Sequence, residues 1–280
     1  MSVSERAIVA DVNARQTPLQ LLRHGLVRNE VITIIALLLL AIIAWSWTLH
    51  LINSMDTMAD MPQMQRMPDA NALHWDAPRA WSTFAMWAVM MVAMMLPSAM
   101  PILLLHRRVG AHQHAQNNAV KMPPTSLLVL GYLLVWTGFS ALATLAQIGL
   151  SMTAQITPMM TLVENRFAGA ILLFAGIYQL TPLKQHCLTL CRSPLVFLTQ
   201  HYRSGSFGAL RMGVMHGWFC LGCCWAAMAL LFVGGVMNPL WIAGLTVFVL
   251  IEKILPLGKI IGQLLGVAAI ATGIYWLGNL

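Results

Sequence analysis

Long apolar stretches alternate with short polar ones along most of this chain. The runs at 31–50, 81–105, 126–150 and 211–236 hold the roughly 20 residues that a helix needs to cross a hydrocarbon layer of about 30 Å. Shorter runs occupy 167–183, 239–255 and 259–278. The pattern predicts an all-α fold, a polytopic membrane helix bundle of seven transmembrane helices. The expected organisation is a cytoplasmic amphipathic segment at 1–30, a first transmembrane helix at 31–50, an outer loop at 51–80 and a six-helix membrane core at 81–280. Within the first segment, Thr17 and Pro18 open a short amphipathic stretch suited to lie on the inner membrane surface. The polar lead is too long for a signal peptide, and Ala44-Trp-Ser-Trp47 offers no small-residue cleavage site. The first run therefore reads as a retained signal anchor.

Composition sharpens this picture. Of 280 residues, 59% are hydrophobic and 9% charged, against about 25% charged in soluble domains. Such a chain lacks the polar surface needed to face water. The formal net charge of +7 does not imply nucleic acid, because cytoplasmic loops of membrane proteins collect Lys and Arg. With the N-terminus inside, the inner segments hold Arg6, Arg15, Arg23, Arg28, Arg107, Arg108, Lys121, Lys184, Arg192, Arg203, Arg211, Lys253 and Lys259. The outer segments hold only Arg66, Arg79 and Arg166. That asymmetry predicts a cytoplasmic N-terminus and an outer C-terminus. Trp45, Trp47, Trp75, Trp81 and Trp241 fall near the outer boundary, as an aromatic belt does.

Two pairs of segments resemble each other. Residues 86–101 align without gaps to 224–239, with Trp87/Trp225, Ala88/Ala226, Met90/Met228 and Pro101/Pro239 identical. Gly176-Ile-Tyr-Gln-Leu180 matches Gly273-Ile-Tyr-Trp-Leu277. In the seven-span topology each pair runs in opposite directions, the signature of a 3+3 inverted repeat preceded by an extra helix. Chance sharing of Ala, Met and Trp between apolar segments is the competing explanation.

The chemistry begins in the outer loop. Met55, Met58, Met61, Met64 and Met67 recur every third residue among Asp56, Asp60, Asp69 and His74. Thioethers are soft, neutral ligands that select Cu(I), and a spacing of three lets several converge on one ion. A methionine-rich flap packed on the outer mouth is the structural alternative. In the second span Met90 and Met94 share a face with Met86, although such stripes also serve as core filler. Pro97 and Pro101 are expected to kink or break that helix.

The fifth span carries His216, Cys220, Cys223 and Cys224. At 100° per residue, with His216 at zero, the three cysteines fall near about 40°, −20° and 80°, on one face. A histidine inside a span points to function, and one imidazole with three thiols suits Cu(I) or Zn(II). Close packing by small residues, with the imidazole bonded to a carbonyl, is the alternative. Met90 and Cys220 both come out roughly 13 Å inside their nearer boundaries, so a site between the second and fifth spans is expected near the midplane. On the inner side His186, Cys187 and Cys191 form a further soft-metal candidate, since cytoplasmic thiols stay reduced. Lys253 is expected to snorkel with Glu252 paired to it or to Lys259, and His106, His112 and His114 to be solvated.

The blocks around Met86–Pro101, Gly176–Cys191, Met215–Met228 and Glu252-Lys253 resemble an uncharacterised bacterial family of predicted metal-binding integral membrane proteins, a domain-of-unknown-function family. The resemblance runs from about Trp81 to Leu280. It implies a multi-pass protein of the bacterial cytoplasmic (inner) membrane in which the Cys pair, the His216 block and the Glu-Lys block belong to one design.

The expected function is copper handling, with Cu(I) captured at the outer loop and relayed or transported through the Met/His/Cys site. Copper(I) is the favoured metal and zinc the second. The alternative is an accessory or assembly subunit of a larger membrane metalloenzyme, with that complex or a metallochaperone as partner besides the lipid bilayer and the metal ion. An enzyme is the less natural reading. Glu252 is the one firm carboxylate near a span's interior, and His216 alone cannot supply bis-imidazole haem ligation. No nucleotide-binding loop is present, and no nucleic-acid partner is implied.

Overall fold

The computed structural model describes residues 31–54, 75–116, 124–153, 162, 165–203 and 205–278. Their elements are helices: α1 (Val31–Ser54), α2 (Ala77–Gln116), α3 (Thr125–Met152), α4 (Asn165–Leu180), α5 (Pro182–Arg192), α6 (Pro194–His201), α7 (Gly205–Ala229), α8 (Leu231–Gly234), α9 (Pro239–Ile254) and α10 (Gly258–Gly278). Segment 1–30 and the methionine loop at 55–67 lie outside the described residues.

Five stretches are long and apolar enough to cross a membrane: α1, Ala77–Gly110 of α2, α3, the α7–α8 stretch Gly205–Gly234, and α10. A sixth results if α4 and α5, bent by 64°, are one broken span. Among the described residues the protein is thus all-helical, with several helices of membrane-spanning length. The expected count of seven differs at two places. Helices α4 and α9 have 16 residues each, about 24 Å of rise, which is short for a full crossing.

The chain breaks where its local chemistry directs it. The Thr181 side chain accepts the backbone N–H of Lys184, and Pro182 follows at the first helical position, a strong start signal. Asn238 likewise caps α9, accepting from the Leu240 and Trp241 amides ahead of Pro239. The break expected at Pro97 and Pro101 does not occur, since α2 stays helical through both. The interruption falls instead at Thr181-Pro182, where a cap and a proline act together.

Glycines set two tight helix pairs. A Cβ on Gly213 of α7 would stand 2.1 Å from the Leu128 carbonyl oxygen of α3, and one on Gly217 2.9 Å from Val135. Rising numbers meet rising numbers, so α3 and α7 run parallel. In α4 and α10 the order reverses: Gly169 meets the Gly273 carbonyl and Gly176 meets the Gly266 carbonyl. That pair is antiparallel. Helix α2 is antiparallel to α3, with the Trp87 indole N–H donating to Gln147 Oε1 at 2.7 Å and the Tyr132 hydroxyl to the Met95 carbonyl at 3.0 Å. Arg107 of α2 donates to the Thr33 hydroxyl of α1.

The core lies between α2, α3 and α7, with Trp87, Met90, Met94, Tyr132, Trp136 and Cys220 at most 1% exposed. Ile42 and Ile43 of α1 and Ile260 and Leu264 of α10 are more than half exposed. Such apolar exteriors suit contact with lipid, because a surface of this kind in water would drive association.

Candidate metal centre

The face expected on the fifth span exists. His216, Cys220, Cys223 and Cys224 of α7 are all buried, at 3, 0, 2 and 1% exposure. What surrounds them extends the sequence reading in three directions.

First, α5 packs along α7 and brings the second cysteine motif to the first. The Cys191 and Cys223 sulfurs lie 3.9 Å apart, and Cys223 and Cys224 are 3.3 Å apart. The Cys223 thiol also donates to the Cys220 carbonyl at 3.1 Å. Close approach is possible because residue 222 is glycine: a Cβ there would sit 2.8 Å from the Cys187 sulfur. The two motifs, read as separate sites in the sequence, thus form one thiol cluster. His186 is exposed and faces away from the buried Cys187 beside it.

Second, a buried ammonium stands at the cluster. Lys253 of α9 donates to the Cys220 sulfur at 2.9 Å and to the Ser98 hydroxyl of α2 at 3.1 Å. The expectation that Lys253 snorkels and pairs with Glu252 is corrected here. Lys253 is 7% exposed, and successive side chains on a helix diverge by about 100°, so Glu252 faces elsewhere. Its Oε1 accepts from Lys184 of α5 at 2.5 Å and from Gln179 of α4 at 2.7 Å. Gly262 of α10 makes room for that carboxylate.

Third, aromatic rings enclose the imidazole. The His216 ring stacks on Tyr132 with centroids 5.7 Å apart and meets the edge of Phe197 at 5.3 Å. Its Nδ1 is buried without a hydrogen-bond partner, so the expected carbonyl contact is not the one made. The Tyr132 hydroxyl lies 3.1 Å from the Cys220 sulfur. His106 is fully buried rather than solvated, with Nδ1 3.4 Å from the Thr125 hydroxyl and Nε2 unpartnered. The side chains of His112 and His114 lie outside the described residues.

Met90 and Met94 are buried in the same core as the thiols. Helix α2 reaches Cys220 one turn further on, through the Tyr132 bond to Met95 and the Lys253 bond to Ser98. Sequence reasoning passed over Ser98, Tyr132, Gln179 and Lys184. Each is a polar group in or beside an apolar run, and a buried polar group needs a partner. That is the signal by which they were detectable.

Among the described residues, no group of three His, Cys, Asp or Glu side chains is arranged to hold a metal ion. The sulfur donors are grouped, but they do not form a closed tetrahedron of the zinc type.

A family model described as PpoB2, copper chaperone, matches residues 84–276. The matched segment runs from the first turns of α2 almost to the end of α10, containing every thiol and lacking the methionine loop. No curated protein and no solved structure matches the chain.

Proposed function

The chain belongs to the PpoB2 copper-chaperone family, and from that premise we propose that it holds Cu(I) at the buried thiols of α7 and passes it to a recipient. The observation that carries the reading is the close run of sulfurs from Cys191 through Cys223 to Cys224, with buried Cys220 one helical turn before Cys224. Soft sulfur selects Cu(I), which accepts fewer and less regularly placed ligands than the tetrahedral zinc ion. Met90 and Met94 supply thioethers from α2, and the open Nδ1 of His216 supplies an imidazole on the inner side. A thiolate at Cys220 balances the Lys253 charge, which would otherwise be costly in this interior.

Holding and delivery fit this arrangement better than a transport cycle. Lys253 ties Cys220 to α2 and α9 at once, and Glu252 ties α9 to α4 and α5. Such a knot favours one conformation of the site, whereas alternating access needs two. We place seven spans in the bacterial inner membrane with the N-terminus cytoplasmic. The parallel pair α3/α7 and the antiparallel pairs α2/α3 and α4/α10 support that alternation.

The α4/α10 contact also supports the inverted repeat. The match of Gly176 to Gly273 pairs Gly169 with Gly266. Under that correspondence the contact Gly169–Gly273 becomes Gly266–Gly176, which is the other contact observed. An interface that maps onto itself in this way is what a two-fold relation produces. Outside the membrane the methionine loop collects the ion before the thiols do, and a membrane metalloenzyme or a metallochaperone receives it.

Metal analysis of detergent-purified protein tests the proposal. Wild type and Cys220→Ser/Cys224→Ser are loaded with Cu(I) against a competing Cu(I) chelator, and bound copper and zinc are counted. A hydroxyl keeps the size of the thiol but is a harder donor. Cu(I) affinity is expected to fall by more than about 100-fold, beyond the loss typical of an outer-shell partner, and Cys224→Ser alone, which leaves the Lys253–Cys220 contact in place, is expected to show a loss without a matching change in stability. Equal copper binding by the two proteins overturns the proposal and leaves α7 as a packing helix.

A further inference from the structure

Cys191 and Cys223 have a relation to each other that holding Cu(I) does not require. They lie on separate helices, α5 and α7, with sulfurs 3.9 Å apart. A disulfide needs about 2.0 Å, so the two sulfurs must approach by about 1.9 Å to join. Cys224 is nearer to Cys223, at 3.3 Å, but the two are sequence neighbours inside a continuous helix. Joining them would distort the backbone of α7. Cys220 is engaged elsewhere, by Lys253 and Tyr132. Cys191 is therefore the natural partner of Cys223. It is also the less buried residue of the two, Cys223 being 2% exposed.

We propose that Cys191 and Cys223 form a two-electron dithiol that reduces Cu(II) to Cu(I) for the adjoining thiols. In this step both thiols lose their protons and one S–S bond forms between the two sulfurs. The two electrons released pass singly to two cupric ions, giving two cuprous ions. Two protons leave, and atoms and charge balance. Cys220 and Cys224 stay reduced and retain the soft pair that Cu(I) prefers. Two equivalents of a small external thiol reopen the disulfide by exchange and leave as their own disulfide. The inference rests on the copper-holding reading, and adds to it a redox step at two of those sulfurs and a different oxidation state of the metal.

The test uses full-length protein in detergent micelles, reduced and handled without oxygen. Cu(II) is added with a chelator that colours only with Cu(I), and the disulfides formed are mapped by mass spectrometry with fragmentation that separates Cys191 from Cys187. The expected result is two Cu(I) per disulfide, a crosslink joining Cys191 to Cys223, and a several-fold slower reduction in Cys191→Ser. Diamide, a metal-free oxidant of thiols, is expected to give the same crosslink, and Cys191→Ala guards against a packing effect of the serine. A crosslink between other cysteines, or unchanged reduction rates in both Cys191 variants, overturns the inference. Cu(I) supplied directly separates the two readings. If Cu(I) binds fully while Cu(II) is not reduced, the dithiol inference alone fails. If Cu(I) does not bind, the copper-holding reading fails with it.

Discussion

Glu252→Gln removes one charge from the interior while keeping the side chain's shape. In the wild type Glu252 accepts from Lys184 at 2.5 Å and from Gln179 at 2.7 Å, with Lys184 1% and Glu252 2% exposed. The amide leaves the Lys184 ammonium with no anion in a medium that cannot solvate it. Breaking a buried pair from one side costs about 3–5 kcal/mol, or roughly two to four powers of ten in the folded fraction. Lys184→Met strands the carboxylate instead, and its cost should lie near the lower end because Gln179 still donates to it. The double variant Lys184→Met/Glu252→Gln strands nothing. Replacing a whole buried pair by uncharged groups is often close to neutral, so the double variant should recover most of the loss. Unfolding in mixed micelles of detergent and SDS, followed for all four proteins, gives the coupling. If Glu252→Gln is as stable as wild type, or if the double variant loses the sum of the singles, the assignment of this pair as the staple of α4, α5 and α9 is wrong. Copper affinity adds a second readout. Since Glu252 precedes Lys253, a shift of α9 in Glu252→Gln should weaken Cu(I) binding, and the double variant should restore it.

Gly213→Ala places a methyl group 2.1 Å from the Leu128 carbonyl oxygen, against backbone that cannot rotate away, and should cost at least the roughly 1–3 kcal/mol of overpacking. Gly138→Ala in α3 meets nothing within 4 Å and should gain up to about 1 kcal/mol from helix propensity. Thermal midpoints in detergent should move in opposite directions. Changing Met55, Met58, Met61, Met64 and Met67 together to Leu keeps apolar bulk and removes the thioethers. Cu(I) loading of the protein in vesicles should slow severalfold while the final copper per protein stays the same, because the thiols lie within the family-matched segment and the loop lies outside it.

The helices were legible because hydropathy integrates over some 20 residues, so single misplaced residues do not matter. The relative directions of α3 and α7 and of α4 and α10 agree with the expected alternation, while the expected seven full crossings are not seen, five or six stretches being long enough. Breaks were harder. Pro97 and Pro101 carry the stronger sequence signal, yet a helix tolerates proline inside a membrane where neighbours resatisfy the freed carbonyls. At Thr181 the stop is made by a hydroxyl cap and the following proline together. That combination weighs on the geometry more than two isolated prolines do.

The site was half legible for a related reason. Placing His216, Cys220, Cys223 and Cys224 on one face needs only the pitch of a helix. Finding Cys191 beside Cys223 needs the packing of α5 on α7, which depends on Gly222 being small enough to admit Cys187. The Lys253 position inverts an argument that was sound in isolation. A lysine about one turn from a membrane boundary reaches water when its path is open. Here α2 and α7 close the path, and the ammonium finds Ser98 and Cys220 instead. A cation buried against sulfur is costly unless that sulfur carries charge, and a charged sulfur is what Cu(I) seeks. The residue dismissed as a surface anchor is therefore part of the proposed site, beside the sulfur of Cys220.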